Sequence, residues 1–175
     1  MHWFQIFLIL HILAVLVAFG PDFSFPLIAR LGQRNPRHGA FATEVIEQIE
    51  RRMTIPLAVA VPLLGVGLIY TGHFDLWHST WLVITVIVYP LVFFFALFVQ
   101  LPNGAKLLRM MQDMERAGPP PGGEGEPAPV AGAAGPPPQF LAQVKKVQLG
   151  GAVLALAVVF FVVLMVWRPG STFVH

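Results

Sequence analysis

Four long apolar runs, separated by polar or mixed stretches, dominate the chain: about Trp3 to Phe25, Thr54 to Tyr70, Trp81 to Leu101 and Leu149 to Trp167. A helix needs roughly 20 apolar residues to cross a bilayer core, and each run meets or nearly meets that length. No Lys or Arg interrupts any of them, and their interior charged or imidazole groups are His11 and Asp22. The runs are continuous rather than alternating, which predicts helices and not the strands of a closed barrel. The expected fold class is therefore all-α, a polytopic transmembrane four-helix bundle occupying residues 1–175 as one domain.

Between the first two runs the pattern changes period. Phe41, Val45, Ile46, Ile49 and Met53 recur at helical spacing against Glu44, Glu47, Gln48 and Arg51. They predict an amphipathic helix that either lies on the membrane surface or extends the second span into water. After the third run, Lys106 to Arg116 continues as a polar-faced helix carrying Met110, Met111 and Met114. From Ala117 to Pro138 eight prolines and six glycines occur without one aromatic. Such a segment cannot bury enough surface to order itself and is predicted to be a flexible tether.

Charge adds orientation. Of the eleven Lys and Arg residues, ten fall in the loops after the first and third runs, and Arg168 alone falls on the other side. The basic side faces the cytoplasm, so both termini are expected outside. Trp3, Trp77, Trp81 and Trp167 all fall at the outer ends of spans, where indoles favour the headgroup layer. Met1-His2-Trp3 lacks the basic leader of a signal peptide, and the first run is long, so it is read as a span. Only 11% of residues are charged and the net charge is +2, too little for a nucleic-acid surface. There is no cysteine, hence no disulfide, thiolate metal site or thiol nucleophile.

Chemistry has few places to sit. Gly20-Pro21, Pro62 and Pro90 interrupt backbone hydrogen bonding within spans, and such kinks make room in a bundle. His11 lies about 10 Å below the outer surface at 1.5 Å per residue, and an ionisable group at that depth is a functional candidate. It could be the axial ligand of a b-type haem, since neutral imidazole suits iron. It could equally hydrogen-bond a neighbour, and Tyr89 lies at nearly the same depth. That level also holds Pro62 and Phe160 and no second histidine, so a haem would be five-coordinate or would recruit His73 or His78 from the outer loop. With His2, those two form an outer group lacking the i, i+4 spacing of a metal site. Asp22 is expected to form an ion pair near the inner interface with Arg51 or Arg52, or with Arg30. Gly65-Val66-Gly67 is read as a close-packing feature, not a nucleotide fingerprint.

Several stretches together resemble a known family: His11-Ile12-Leu13-Ala14-Val15 with Phe25-Pro26-Leu27, Glu50-Arg51-Arg52-Met53 with Ile55-Pro56-Leu57-Ala58, and Leu164-Met165-Val166-Trp167-Arg168-Pro169. Their order is similar to that in the integral membrane proteins of domain-of-unknown-function family 2269. More distantly it resembles the membrane-embedded bacterial protoporphyrinogen IX oxidases and the copper-resistance D proteins. In the oxidases the first-span histidine is linked to haem, a role that maps onto His11. Their Trp-Leu-His-x-Lys run corresponds to Trp81-Leu82-Val83-Ile84-Thr85, which has neither the histidine nor the lysine. The resemblance implies a multi-pass protein of the bacterial inner membrane: a non-enzymatic subunit or b-haem module beside other redox subunits. The alternatives are an oxidase acting on a tetrapyrrole, or a transport or scaffold component without cofactor.

Overall fold

The computed structural model describes residues 2–34, 38–117 and 137–169. The described residues form seven α-helices: α1 (Trp3–Phe19), α2 (Phe25–Arg34), α3 (Gly39–Ile49), α4 (Ile55–Gly72), α5 (Thr80–Phe95), α6 (Leu101–Ala117) and α7 (Pro138–Trp167). Short irregular stretches join some of them end to end. A 3₁₀ turn at Pro21–Phe23 joins α1 to α2, and π-helical stretches at Glu50–Thr54 and Ala96–Gln100 join α3 to α4 and α5 to α6. Four long rods result. Trp3–Gly32, Gly39–Gly72, Thr80–Arg116 and Pro138–Trp167 are each long and apolar enough to cross a membrane, at 30, 34, 37 and 30 residues.

The rods pair antiparallel in two seams. Along the first, Phe4 meets Phe74, His11 meets Val61 and Gly65, Ala18 meets Thr54, and Gly32 meets Ala42. Helices α2 and α3 thus continue the α1–α4 seam instead of folding away from it. This decides between the two expectations for residues 41–53: they extend the second span. Along the second seam Leu82 clusters with Leu164, Tyr89 packs on Phe161, Gln100 on Gly150, and Gln143 bonds to Asn103. Close approach is built into both. A Cβ on Gly67 would stand 2.5 Å from the Phe7 ring, and the Gln100 amide occupies the space a Cβ on Gly150 would need. Of the two glycines expected to allow close packing, Gly67 does so against Phe7, and Gly65 lies in ordinary contact distance of His11.

At 1.5 Å per residue the rods are about 45–55 Å long, well beyond a 30 Å hydrocarbon core. They change character at one level. The 3₁₀ turn, the two π stretches and Gly150-Gly151 all lie about 24–27 Å from the tryptophan-bearing end. Pro56 and Pro102 each follow a π stretch as the second residue of the next helix. A proline lacks the N–H and crowds the carbonyl four residues back, so a wider turn before it relieves the clash.

Few side chains are buried, and large apolar residues such as Leu10, Leu63, Leu91 and Leu156 face outward. A lipid-facing surface requires this. The small core lies at the tryptophan end, where Trp81, Leu82 and Leu164 pack with Ile69 and Phe74. Arg168 lies over the Trp81 and Phe74 rings, 5.6 and 5.9 Å from their centroids. Trp3, Trp77 and Trp167 are exposed as a headgroup belt requires, but Trp81 is turned inward at 9% exposure.

The expected boundaries need adjustment. The first span breaks at Pro21 instead of running unbroken to Phe25, and α7 begins at Pro138, well before Leu149. Of the expected tether, Ala117 and Pro138 are helical, and residues 118–136 lie outside the described residues.

Candidate functional site

Two polar side chains inside the bundle, His11 and Tyr89, converge on the proline-bearing helix α4. Pro62 has no N–H to offer the carbonyl of Ala58, its ordinary helical partner. The Tyr89 hydroxyl fills that vacancy, donating to Ala58 O at 2.6 Å from α5. One turn higher, His11 Nδ1 bonds to Val61 O at 3.0 Å from α1. A carbonyl only accepts, so the proton is on Nδ1 and the lone pair on Nε2. The imidazole lies beside Gly65, where a Cβ would be in ordinary contact with His11 Cε1 at 3.6 Å. His11 is 7% exposed and is flanked along its own helix by apolar residues. Among the described residues no protein group bonds to its Nε2.

Depth counting therefore placed His11 and Tyr89 at neighbouring levels, but they do not pair with each other. Each fastens its own helix to a separate carbonyl of α4. Pro62 and Phe160 do lie near this level: α4 offers Val61 to His11, and Phe160 packs edge-on against Phe161, the ring beside Tyr89. The histidine keeps one nitrogen lone pair without a protein partner among the described residues, in an apolar setting.

The other sites fall out differently. Arg51 closes on Glu47 at 2.8 Å, its neighbour one turn earlier, and not on Asp22. Among the described residues no ion pair joins Asp22 to Arg51, Arg52 or Arg30. Glu47 is one turn from Arg51 on the same helix, whereas Asp22 belongs to another rod. In the outer turn His78 Nδ1 meets Asp75 at 2.6 Å, and the backbone N–H groups of Trp77 and His78 also donate to Asp75. These bonds hold the Asp75 carboxyl below the usual range, with the His78 side-chain bond the largest cause. His73 adopts a left-handed conformation, φ 50°, as the cap of α4. Among the described residues no three potential ligands gather as a metal site.

A second polar seam went unnoticed in the sequence. Gln100 donates to Val147 O at 3.1 Å, and the buried Gln143 donates to Asn103 O and Oδ1 at 2.9 and 3.0 Å. Thr54 donates to Ala18 O at 3.0 Å, beside the break in the first rod. The available signal was an uncharged amide or hydroxyl near the basic ends of the second, third and fourth apolar runs, the residue type that glues membrane helices together.

No curated protein and no solved structure matches the chain. A family model does, over residues 5–169, described as a predicted integral membrane protein. That match takes in all four rods, and the chain belongs to domain-of-unknown-function family 2269.

Proposed function

We propose that the chain is a non-enzymatic subunit of the bacterial inner membrane, with both termini outside, that serves redox chemistry by holding a b-type haem through His11. The carrying observation is the state of that imidazole. Nδ1–H is spent on the Val61 carbonyl, and Nε2 keeps its lone pair inside an apolar bundle. Metal-ligating histidines are oriented in this way, with the second nitrogen donating to a carbonyl or carboxylate. When bound, the haem supplies one-electron transfer. The chain's residues orient the imidazole, surround it with apolar side chains and keep water away.

The non-enzymatic reading is supported by how the interior polar groups are used. Tyr89, Thr54, Gln100 and Gln143 all donate to backbone carbonyls of neighbouring rods. The orientation is supported by Arg30, Arg51, Arg52, Lys106, Arg109, Arg116, Lys145 and Lys146, which stand at one end of the bundle with Arg168 at the other.

An absorbance spectrum of the detergent-purified protein, expressed with ample haem, tests the proposal. The wild type gives a Soret band, His11→Ala loses it, and His73→Ala and His78→Ala keep it. A wild type without the band overturns haem binding. The contact of His11 with Gly65 favours one second reading, that the imidazole is a fastener between α1 and α4. On that reading no variant shows a Soret band, and His11→Ala only lowers the melting temperature.

A further inference from the structure

We infer that the apolar groove between α2 and α3 is the interface of a symmetric dimer, covered by the same groove of a second copy. It has a volume of about 310 Å³ and is walled by Ile28 and Leu31 on α2 and by Phe41 and Val45 on α3. Leu31 and Phe41 are 54% and 66% exposed, and Leu27 beside them is exposed as well. Lipid tails do not account for this exposure. Leu31 lies about 12 Å beyond the 3₁₀ turn, and Phe41 about 14 Å beyond the π stretch that starts at Glu50. The groove therefore sits about 36–41 Å from the tryptophan end, past a 30 Å hydrocarbon core. An apolar patch at that level faces water unless a protein covers it.

Charge at the rims points to a second copy. Gly32 meets Ala42 across the antiparallel pair of helices. Arg30 and Glu44, each two residues from that contact on its membrane side, therefore stand at one depth. Two residues are about 200° round a helix, so the two side chains belong to opposite outer edges of the α2–α3 pair. Both are exposed, and among the described residues neither has an ion-pair partner. Two copies inserted the same way round are related by a twofold axis along the membrane normal, which keeps every residue at its depth. Such an axis through the groove lays α2 of one copy against α3 of the other. It brings Arg30 of each copy to Glu44 of the other, twice over. The surface is thus complementary to itself, as an isologous contact requires. A uniformly acidic or basic partner would meet like charge on one rim.

Sedimentation equilibrium of the full chain in density-matched detergent, under reducing conditions, reads the association. The wild type is a dimer. Arg30→Glu and Glu44→Arg, each at an exposed position, weaken it by about tenfold or more, because like charges then face each other at both pairs. Combined in one chain, the two changes restore the affinity to within about threefold of wild type. Phe41→Cys withdraws the ring from the contact and gives a monomer. A monomeric wild type overturns the inference, whether or not lipid or another protein stays bound to it. So does a dimer that is unchanged in both single charge variants, a combined variant no tighter than either single one, or a dimer that keeps its affinity in Phe41→Cys.

Discussion

Tyr89 and Pro62 show how one residue's deficit sets another's role. Proline removes the N–H that Ala58 O would otherwise accept, and a tyrosine from α5 replaces it at 2.6 Å. Interhelical hydrogen bonds in membranes average about 0.6 kcal/mol and reach about 1.7. Tyr89→Phe should cost around 1 kcal/mol in the Pro62 background and close to nothing in Pro62→Ala, where the helix satisfies Ala58 itself. A double-mutant cycle of unfolding in one detergent measures the coupling; equal costs in both backgrounds would show that the hydroxyl does not serve the freed carbonyl. Asp75 carries a pH dependence of definite sign. Its carboxyl titrates below its ordinary value of 3.8 because the folded turn donates to it. The stabilisation is full above that ordinary value and is lost as pH falls through the lower folded value. The melting difference between wild type and Asp75→Asn, read from neutral pH downward, should shrink only in strong acid; a difference that vanishes near pH 6 would refute the assignment. The position of His11 was legible because an imidazole stands out among apolar residues, and its depth followed from counting. Its partner was not, because backbone carbonyls carry no mark in a sequence, and the missing N–H of Pro62 frees Ala58 O, which Tyr89 takes, and not the Val61 O that His11 meets.

Helices meet where small residues allow it, and a matched pair of glycines separates contact from propensity. Gly67 lies under the Phe7 ring, whereas a Cβ on Gly104 would meet nothing within 4 Å. Gly67→Val should destabilise by about 1–3 kcal/mol through overpacking. Gly104→Ala should be neutral or stabilising by up to about 1 kcal/mol, from helix propensity alone. Melting temperatures in a common detergent check both, and a Gly67→Val protein as stable as wild type would mean that α1 and α4 do not pack as described. The apolar runs disclosed the spans because length and composition suffice for that. The helix expected over Lys106 to Arg116 does continue the third span, but the pattern left open whether α3 extends the second span or lies on the membrane surface. Periodicity in Phe41–Met53 reports which face is apolar and leaves open whether that face meets lipid or a neighbouring helix. Helix α2 meets α3 through Gly32 and Ala42, and α3 meets α6 where Thr43 donates to Met111 Sδ at 3.2 Å. Those partners lie 10 and 68 residues apart, and spacing within either segment does not reveal them.

The whole molecule is longer than the membrane it crosses, and its parts divide at one level. From the tryptophan end to the 3₁₀ turn, the π stretches and Gly150-Gly151, the rods measure about 24–27 Å, close to a hydrocarbon core. Past that level come the basic residues, the amide seam and the helices α2, α3 and α6. The absence of cysteine from the chain makes every introduced cysteine a unique reporter of this division. Labelling of single-cysteine variants in intact cells and in inverted vesicles with a membrane-impermeant maleimide is the most direct measurement. The exposed positions Leu13, Leu91 and Leu156 should resist the reagent from both sides. Phe41→Cys and Met114→Cys should react only in inverted vesicles, and Tyr70→Cys and Trp77→Cys only in intact cells. Labelling of Phe41→Cys or Met114→Cys in intact cells would reverse the orientation, and labelling at Leu13 or Leu91 would contradict a bundle that spans the bilayer between these levels.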